Sequence, residues 1–327
     1  MRVSVIVPTR NRAALLARAV AGISAQSHPD IELIVVDDGS SPEQAARNVA
    51  LTHAVAGARH LALLPPDAEG SGPSRVRNAG IAAATGDLIA FCDDDDAWCA
   101  RDFLATAVAA FMAQPELDLM FANQEAVFGD KTLYTVWQPL LERALDSRAA
   151  AAGALVAVTR AECLVAAGDF AHLNTCVLRR PMVEALAGFH PDLRYCEDLD
   201  FYVRAVDRAR EVACLRRTVS IHNVPDPDRR DNASTRMNER QRKLLLHQIA
   251  SRLVMVCDTP PAQLYARRLG ADACRHLARH AATPSRFDEA LTWARLASAW
   301  RRTPRWTAYT QWLRWRRATS ARRSPAG

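Results

Sequence analysis

The eight cysteines, scattered from Cys92 to Cys274, contain no C-x-x-C pair. That argues against both a disulfide framework and a zinc site, and it favours a reducing compartment. Long hydrophobic runs are also missing. The apolar-leaning run after Arg2 ends at Pro8, too short for a signal-peptide core, and no later run reaches spanning length. A cytoplasmic protein is expected. Glycines are missing where a dinucleotide fingerprint needs them: the first strand-to-helix turn holds Pro8, Thr9 and Arg10, so NAD binding is not expected. No G-x-x-x-x-G-K-[ST] loop is present, and the lone G-x-G of Gly70 and Gly72 reads as a loop rather than a phosphate cradle.

What is there begins with size. The 327 residues can hold one large α/β domain and a smaller piece, and 49% hydrophobic with 24% charged residues is ordinary for a globular protein. The net charge of +6 conceals a split. Residues 1–239 carry 24 basic and 32 acidic side chains, a balance of −8, whereas residues 240–327 carry 18 basic and 4 acidic, a balance of +14. Such asymmetry suggests two regions, 1–239 and 240–327, with different partners.

The first region alternates strand and helix. Val3–Val7 is β-branched and ends at Pro8, and Ala13–Ala25 repeats apolar residues at helical spacing. Ile31–Val36 reads as a second strand, with Pro42 and Glu43 opening a helix after the Asp37–Ser41 turn. A third strand is expected over His60–Leu64, a helix over Ser74–Ala84 and a fourth strand over Leu88–Cys92. This series predicts a mostly parallel sheet with right-handed crossovers.

Directly after the fourth strand come Asp93, Asp94, Asp95 and Asp96. Four adjacent carboxylates favour a turn, and a core-strand end is where α/β proteins place ligands. Oxygens packed this closely suit Mg2+ or Mn2+ bridged to a diphosphate.

Four stretches in order, Val5–Arg12, Val36–Ser41, Arg77–Ile81 and Phe91–Asp96, resemble the successive motifs of family 2 inverting glycosyltransferases with the GT-A fold. The resemblance covers roughly the first 235 residues. It implies a GT-A α/β fold, a Rossmann-like sheet flanked by helices, and a divalent cation holding a donor diphosphate. It further implies that Asp37 accepts from the nucleotide base beside a wall of Pro8, Thr9 and Arg10. Asp93 or Asp94 would contact the ribose, Asp95 the metal, and Arg77 or Arg75 the base or diphosphate. Because the usual Asp-x-Asp-Asp is here entirely acidic, the ligand frame is ambiguous by one residue; strand-like alternation would point Asp93 and Asp95 the same way.

Tyr195–Arg204 resembles the family's glutamate–aspartate motif at a helix start, which implies Asp198 as the general base that deprotonates an acceptor hydroxyl. The plain alternative is that these acids cap the helix. Ser220-Ile221-His222 and then Asp231-Asn232-Ala233-Ser234 resemble the segment whose histidine reaches the metal or diphosphate, which implies His222. The expected donor is a uridine diphosphate sugar by default, and the acceptor a glycan or a lipid-linked glycan in polysaccharide assembly. Residues 115–172 should supply acceptor wall, yet match no motif. Two rivals remain. A sugar-phosphate nucleotidyltransferase would want a Gly-rich basic loop after the first strand, which is missing, and a non-catalytic nucleotide-sugar-binding protein would not need an acid at position 198.

Beyond Arg240, amphipathic helices are expected from about Leu244 to Val254, Ala262 to Ala281 and Phe287 to Trp300. Trp306, Trp312 and Trp315 then interleave with arginines from Arg301 to Arg323. This all-helical extension suits anionic lipid or docking on the acidic domain; nucleic acid is the least favoured partner.

Overall fold

The structure is a computed structural model and describes residues 1–66, 68–147, 153–167, 169–226, 228 and 237–321. It divides into two compact units, Met1–Arg229 and Arg230–Gly327.

In the first unit, β1 (Val3–Thr9), β2 (Ile31–Asp37), β3 (Arg59–Ala62) and β4 (Leu88–Phe91) alternate with α1 (Ala13–Ser24), α2 (Pro42–His53) and α3 (Pro73–Ala83). Their apolar residues are continuous rather than alternating, because β1, β2 and β4 are covered on both faces: Val3, Val5, Ile6, Val7, Ile34 and Phe91 have no exposed surface. All four strands pair in parallel in the order β3-β2-β1-β4. The order reverses at β1, so the crevice at the carboxyl ends of β1 and β4 is the natural ligand position. Gly80 on α3 faces Ile6, and any β-carbon there would run into the isoleucine, so this turn of α3 lies close against β1.

The sheet continues through β5 (Ala97–Trp98), α4 (Phe103–Ala113), β6 (Leu117–Phe128), β7 (Lys131–Tyr134), α5 (Pro139–Asp146), β8 (Leu155–Val158), β9 (Val177–Arg179), α6 (Arg180–Ala185), α7 (Glu197–Arg208) and β10 (Glu211–Asn223). Here β9 runs antiparallel between β4 and β6, while the long β6 and β10 pair in parallel. The region without a legible motif thus contributes a central strand. The strand β9 begins at Val177 and is preceded by a 3-10 turn over Leu173–Thr175, because the Thr175 hydroxyl donates to His172 O at 2.8 Å and the Asn174 side chain is drawn towards the acidic run. Beneath that run Phe91 meets Phe189 and Phe201 edge-on, at 5.4 and 6.0 Å between ring centroids, and so joins β4 to α7.

The second unit contains α8 (Glu239–Val256), α9 (Pro260–His280), α10 (Phe287–Trp300) and α11 (Pro304–Ala321). Asn238 and Gln241 form a reciprocal capping box that starts α8. Cys274, Phe287, Leu291, Trp306 and Leu313 lie in its core, and the Trp306 indole donates to Ala294 O at 3.0 Å. Among the described residues, no helix is long and apolar enough to cross a membrane.

Candidate active site

The acidic run is a turn, closed by Asp96 N donating to Asp93 O at 3.1 Å. Strand-like alternation therefore does not apply, and the four carboxylates diverge. Asp93 receives Arg77 at 2.6 Å. Asp94 receives the Thr9 hydroxyl at 2.8 Å and Arg12 at 3.3 Å, and the same Arg12 nitrogen reaches Asp95 at 2.9 Å. Asp96 is buried and accepts from His222 Nδ1 at 2.9 Å, from Asn223 N at 2.7 Å and from the Asn174 side chain. Asn174 also accepts from Asp93 N at 2.8 Å, so one amide fixes both ends of the turn.

At the end of β2 the two aspartates divide their work. Asp37 accepts from Ser40 N at 2.8 Å and Asn48 at 2.7 Å, and His60 lies 3.8 Å away. Burial pushes its carboxyl up, but His60, Asn48 and Ser40 outweigh that and hold it at about 2. Asp38 accepts from Ser71 N and Oγ at 3.0 and 2.6 Å and from Gly72 N at 3.2 Å, which fastens the glycine loop to the sheet edge. Arg10 donates to Ala68 O at 2.8 Å on the same loop, and Pro8 precedes the buried Thr9 on β1.

On the far side Arg77, itself buried, donates to Glu197 at 2.7 Å as well as to Asp93, with its guanidinium over the Phe189 ring. Arg75 instead pairs with Asp192 at the surface. Glu197 and Asp198 open α7 after Cys196, whose φ of +52° is left-handed. A non-glycine residue in that region marks backbone held by its surroundings, commonly at functional sites. Burial raises the carboxyls of Glu197 and Asp198 against the pull of Arg77. Burial likewise raises Asp94 and Asp95; in Asp95 the neighbouring Asp94 and Asp93 charges add to it. The site therefore holds more negative charge than Arg12 and Arg77 neutralise, which suits an added cation.

A histidine pair completes the crevice. Ligand atoms of Asp96, His172 and His222 lie within 4.8 Å of one another, and Trp137 meets both rings edge-on. With Nδ1 of His222 on Asp96, its Nε2 is the nitrogen available to ligate, the carboxylate behind it fixing tautomer and orientation. Among the described residues, the metal-sized cluster that contains His222 is completed by Asp96 and His172 and does not include Asp95, the ligand expected from sequence.

All the site residues expected from sequence on β1, β2, α3, the acidic turn, α7 and β10 lie in the described part; Asp231–Ser234 lies outside it. Arg12, Asp38 and Asn174 had no assigned role, and Trp137 and His172 had only a place in the acceptor wall expected of residues 115–172. Arg12 had a visible signal, a cation in the first strand-to-helix turn. His172 and Asn174 had none, being isolated polar residues in a stretch without a motif. Arg12 sits where a cation would approach Asp95. Replacing it with alanine is expected to tighten Mn2+ binding to the nucleotide-free protein on the order of tenfold, measured by titration calorimetry, by removing a competing positive charge. Unchanged or weaker Mn2+ affinity would show that Arg12 does not compete.

The order β3-β2-β1-β4 with a crevice of carboxylates at its carboxyl edge belongs to a fold of the GT-A type. S. aureus TarS 1–349 in complex with UDP-GlcNAc has this fold, with a TM-score of 0.67 and 18% identity over 98% of the chain and 90% of TarS 1–349. A mannosyltransferase of Pyrobaculum calidifontis, in complex with GDP-Man and Mn2+, has a TM-score of 0.57 and 21% identity over 98% of the chain and 86% of its own. Residues 4–156 match the sequence model of Glycosyl transferase family 2. An uncharacterized glycosyltransferase of Nostoc sp. is 41% identical over 98 residues, 30% of this chain and 29% of the relative. A GalNAc(5)-diNAcBac-PP-undecaprenol beta-1,3-glucosyltransferase of Campylobacter jejuni is 37% identical over 95 residues, 29% of this chain and 30% of the relative. The alignments thus span less than a third of either relative.

Proposed function

We propose that the protein is an inverting glycosyltransferase that moves a sugar from a nucleoside diphosphate to an acceptor hydroxyl. The observation that carries this is the Arg77 bridge, 2.6 Å to Asp93 on the acidic turn and 2.7 Å to Glu197 beside Asp198. One guanidinium thus joins a donor-side carboxylate to Glu197, the residue beside the base candidate Asp198. In the proposed step, the acceptor oxygen attacks C1 as the C1–diphosphate bond breaks, and its proton passes to Asp198. Pro8, Thr9, Arg10 and the Asp37 turn would wall the nucleotide end, with Asp93 or Asp94 towards the ribose. Asp95 and His222 would hold Mn2+ or Mg2+, which when bound neutralises the departing diphosphate.

The TarS complex supports a uridine donor and the mannosyltransferase complex keeps guanosine open. Relatives named for O-antigen and amylovoran biosynthesis support a glycan or lipid-linked acceptor. A thermal-shift panel of nucleotide sugars with Mn2+ tests the donor. The true donor at about 100 times its Kd should stabilise the protein by about 2.7 kcal/mol, and EDTA should abolish most of that gain. Shifts that are equal for all nucleotides, or that survive EDTA, would refute the donor and metal assignments. Release of nucleoside diphosphate only when an acceptor is present separates transfer from nucleotidyl transfer and from simple binding.

A further inference from the structure

We propose that the outward face of α11 is a peripheral anchor that rests on an anionic lipid surface, with Trp312 and Trp315 at headgroup level. The helix presents two opposite stripes. Trp306, Thr310 and Leu313, spaced by four and three residues, are buried. Ala308, Trp312 and Trp315 repeat the same spacing two residues later, about 200° around the helix, and so face away from the core. Trp312 and Trp315 are 42% and 60% exposed, a large apolar surface to leave in water.

Charge selects the partner. The region 240–327 carries a balance of +14. Three of its four acids are spent internally: Asp288 pairs with Arg317 at 2.6 Å, Glu289 with Arg286 at 2.8 Å, and Asp272 with Arg275 at 2.9 Å. By contrast Arg301, Arg302, Arg305 and Arg314 are exposed and pair with no carboxylate among the described residues. Arg305, seven residues before Trp312 and so on its face, together with Arg301 and Arg302 just ahead of the helix, gives the tryptophans a basic edge that complements a flat, negatively charged, partly apolar surface. A single-stranded nucleic acid would want a concave basic groove with open aromatic faces. Here Trp312 already stacks on Tyr309, with centroids 5.5 Å apart, and carries Arg316 over its ring.

The test uses the full chain and vesicles of phosphatidylcholine with or without about 30% phosphatidylglycerol. At about 50 mM salt the protein should sediment with the anionic vesicles and stay in solution with the neutral ones, and binding should weaken about tenfold by about 300 mM salt. The double variant Trp312→Ala/Trp315→Ala should bind about tenfold more weakly, as should Arg302→Gln/Arg305→Gln. All four side chains are exposed, so the thermal transition should not move, and turnover of a soluble acceptor should equal that of the parent. No sedimentation at low salt would overturn the proposal, as would vesicle binding that ignores the tryptophans. Tighter binding to single-stranded RNA, lost in the tryptophan variant, would assign the face to nucleic acid instead.

Discussion

Asp198→Asn is expected to lower the rate of sugar transfer by about 100- to 10,000-fold while leaving Mn2+-dependent nucleotide binding intact. The amide keeps the shape of the side chain and its place at the start of α7, but it cannot take a proton. The substitution thus separates the base from the helix cap: a cap would alter stability, whereas a base alters turnover alone. Among the described residues, the Asp198 side chain accepts from the adjacent Leu199 N alone, at 2.8 Å, and so retains acceptor capacity for an incoming hydroxyl. Glu197 differs in being committed to Arg77.

The pH dependence follows in sign. Burial raises the Asp198 carboxyl above its usual range, so the base is protonated, and idle, at pH values where an exposed aspartate would be ionised. The transfer rate should therefore fall with decreasing pH along a limb above the ordinary carboxylate range. Glu197→Gln removes a neighbouring negative charge and should shift that limb down without abolishing turnover. Full activity in Asp198→Asn, or an acidic limb at an ordinary aspartate value, would remove Asp198 from the mechanism.

Arg77→Met should destabilise the first unit by about 3–5 kcal/mol, because it leaves Asp93 and Glu197 buried without their shared cation. Urea unfolding measures this. The loss should also depend on pH with a definite sign. Without Arg77 the Asp93 carboxyl, which it now helps to hold below the usual range, would rise and the already raised Glu197 would rise further. An acid raised in the folded state destabilises it as pH climbs from the ordinary carboxylate range to the raised value. The penalty should be greatest above neutrality and shrink on acidification, as the two acids become protonated. A penalty under 1 kcal/mol, or one independent of pH, would mean that Arg77 is not the counterion joining the two halves. Because Arg77 also touches the acidic turn, donor binding should weaken in the same variant, whereas Asp198→Asn preserves it. The two variants thus distinguish a group that organises the site from one that carries a proton.

The legible parts of the fold and site share a cause. Val3–Val7, Ile31–Val36 and Leu88–Phe91 are buried on both faces, so their hydrophobic runs identify them without knowledge of their neighbours. The turns that follow carry polar residues in short, ordered motifs, and those motifs were enough to place Asp93–Asp96 at a strand end and Glu197-Asp198 at a helix start. The antiparallel β9 was less legible, since a strand of three residues has too little periodicity to reveal its direction. The division of the three tail tryptophans was hidden too, because whether Trp306 or Trp312 faces the core depends on how α10 and α11 pack.

By itself, then, the amino-acid sequence determined the strand-helix order of the nucleotide half, the acidic turn, the acid pair on α7 and the charge split between the two regions. All of these rest on contacts within a few residues or on composition. The tertiary structure alone decided which acid meets which cation. Thr9 reaches Asp94 across 85 residues, Arg77 reaches Glu197 across 120, and His222 reaches Asp96 across 126. The physical reason is that hydrogen bonding within the Asp93–Asp96 turn sends neighbouring carboxylates in different directions. Their partners are therefore chosen by the elements that converge there, β1, α3, α7 and β10.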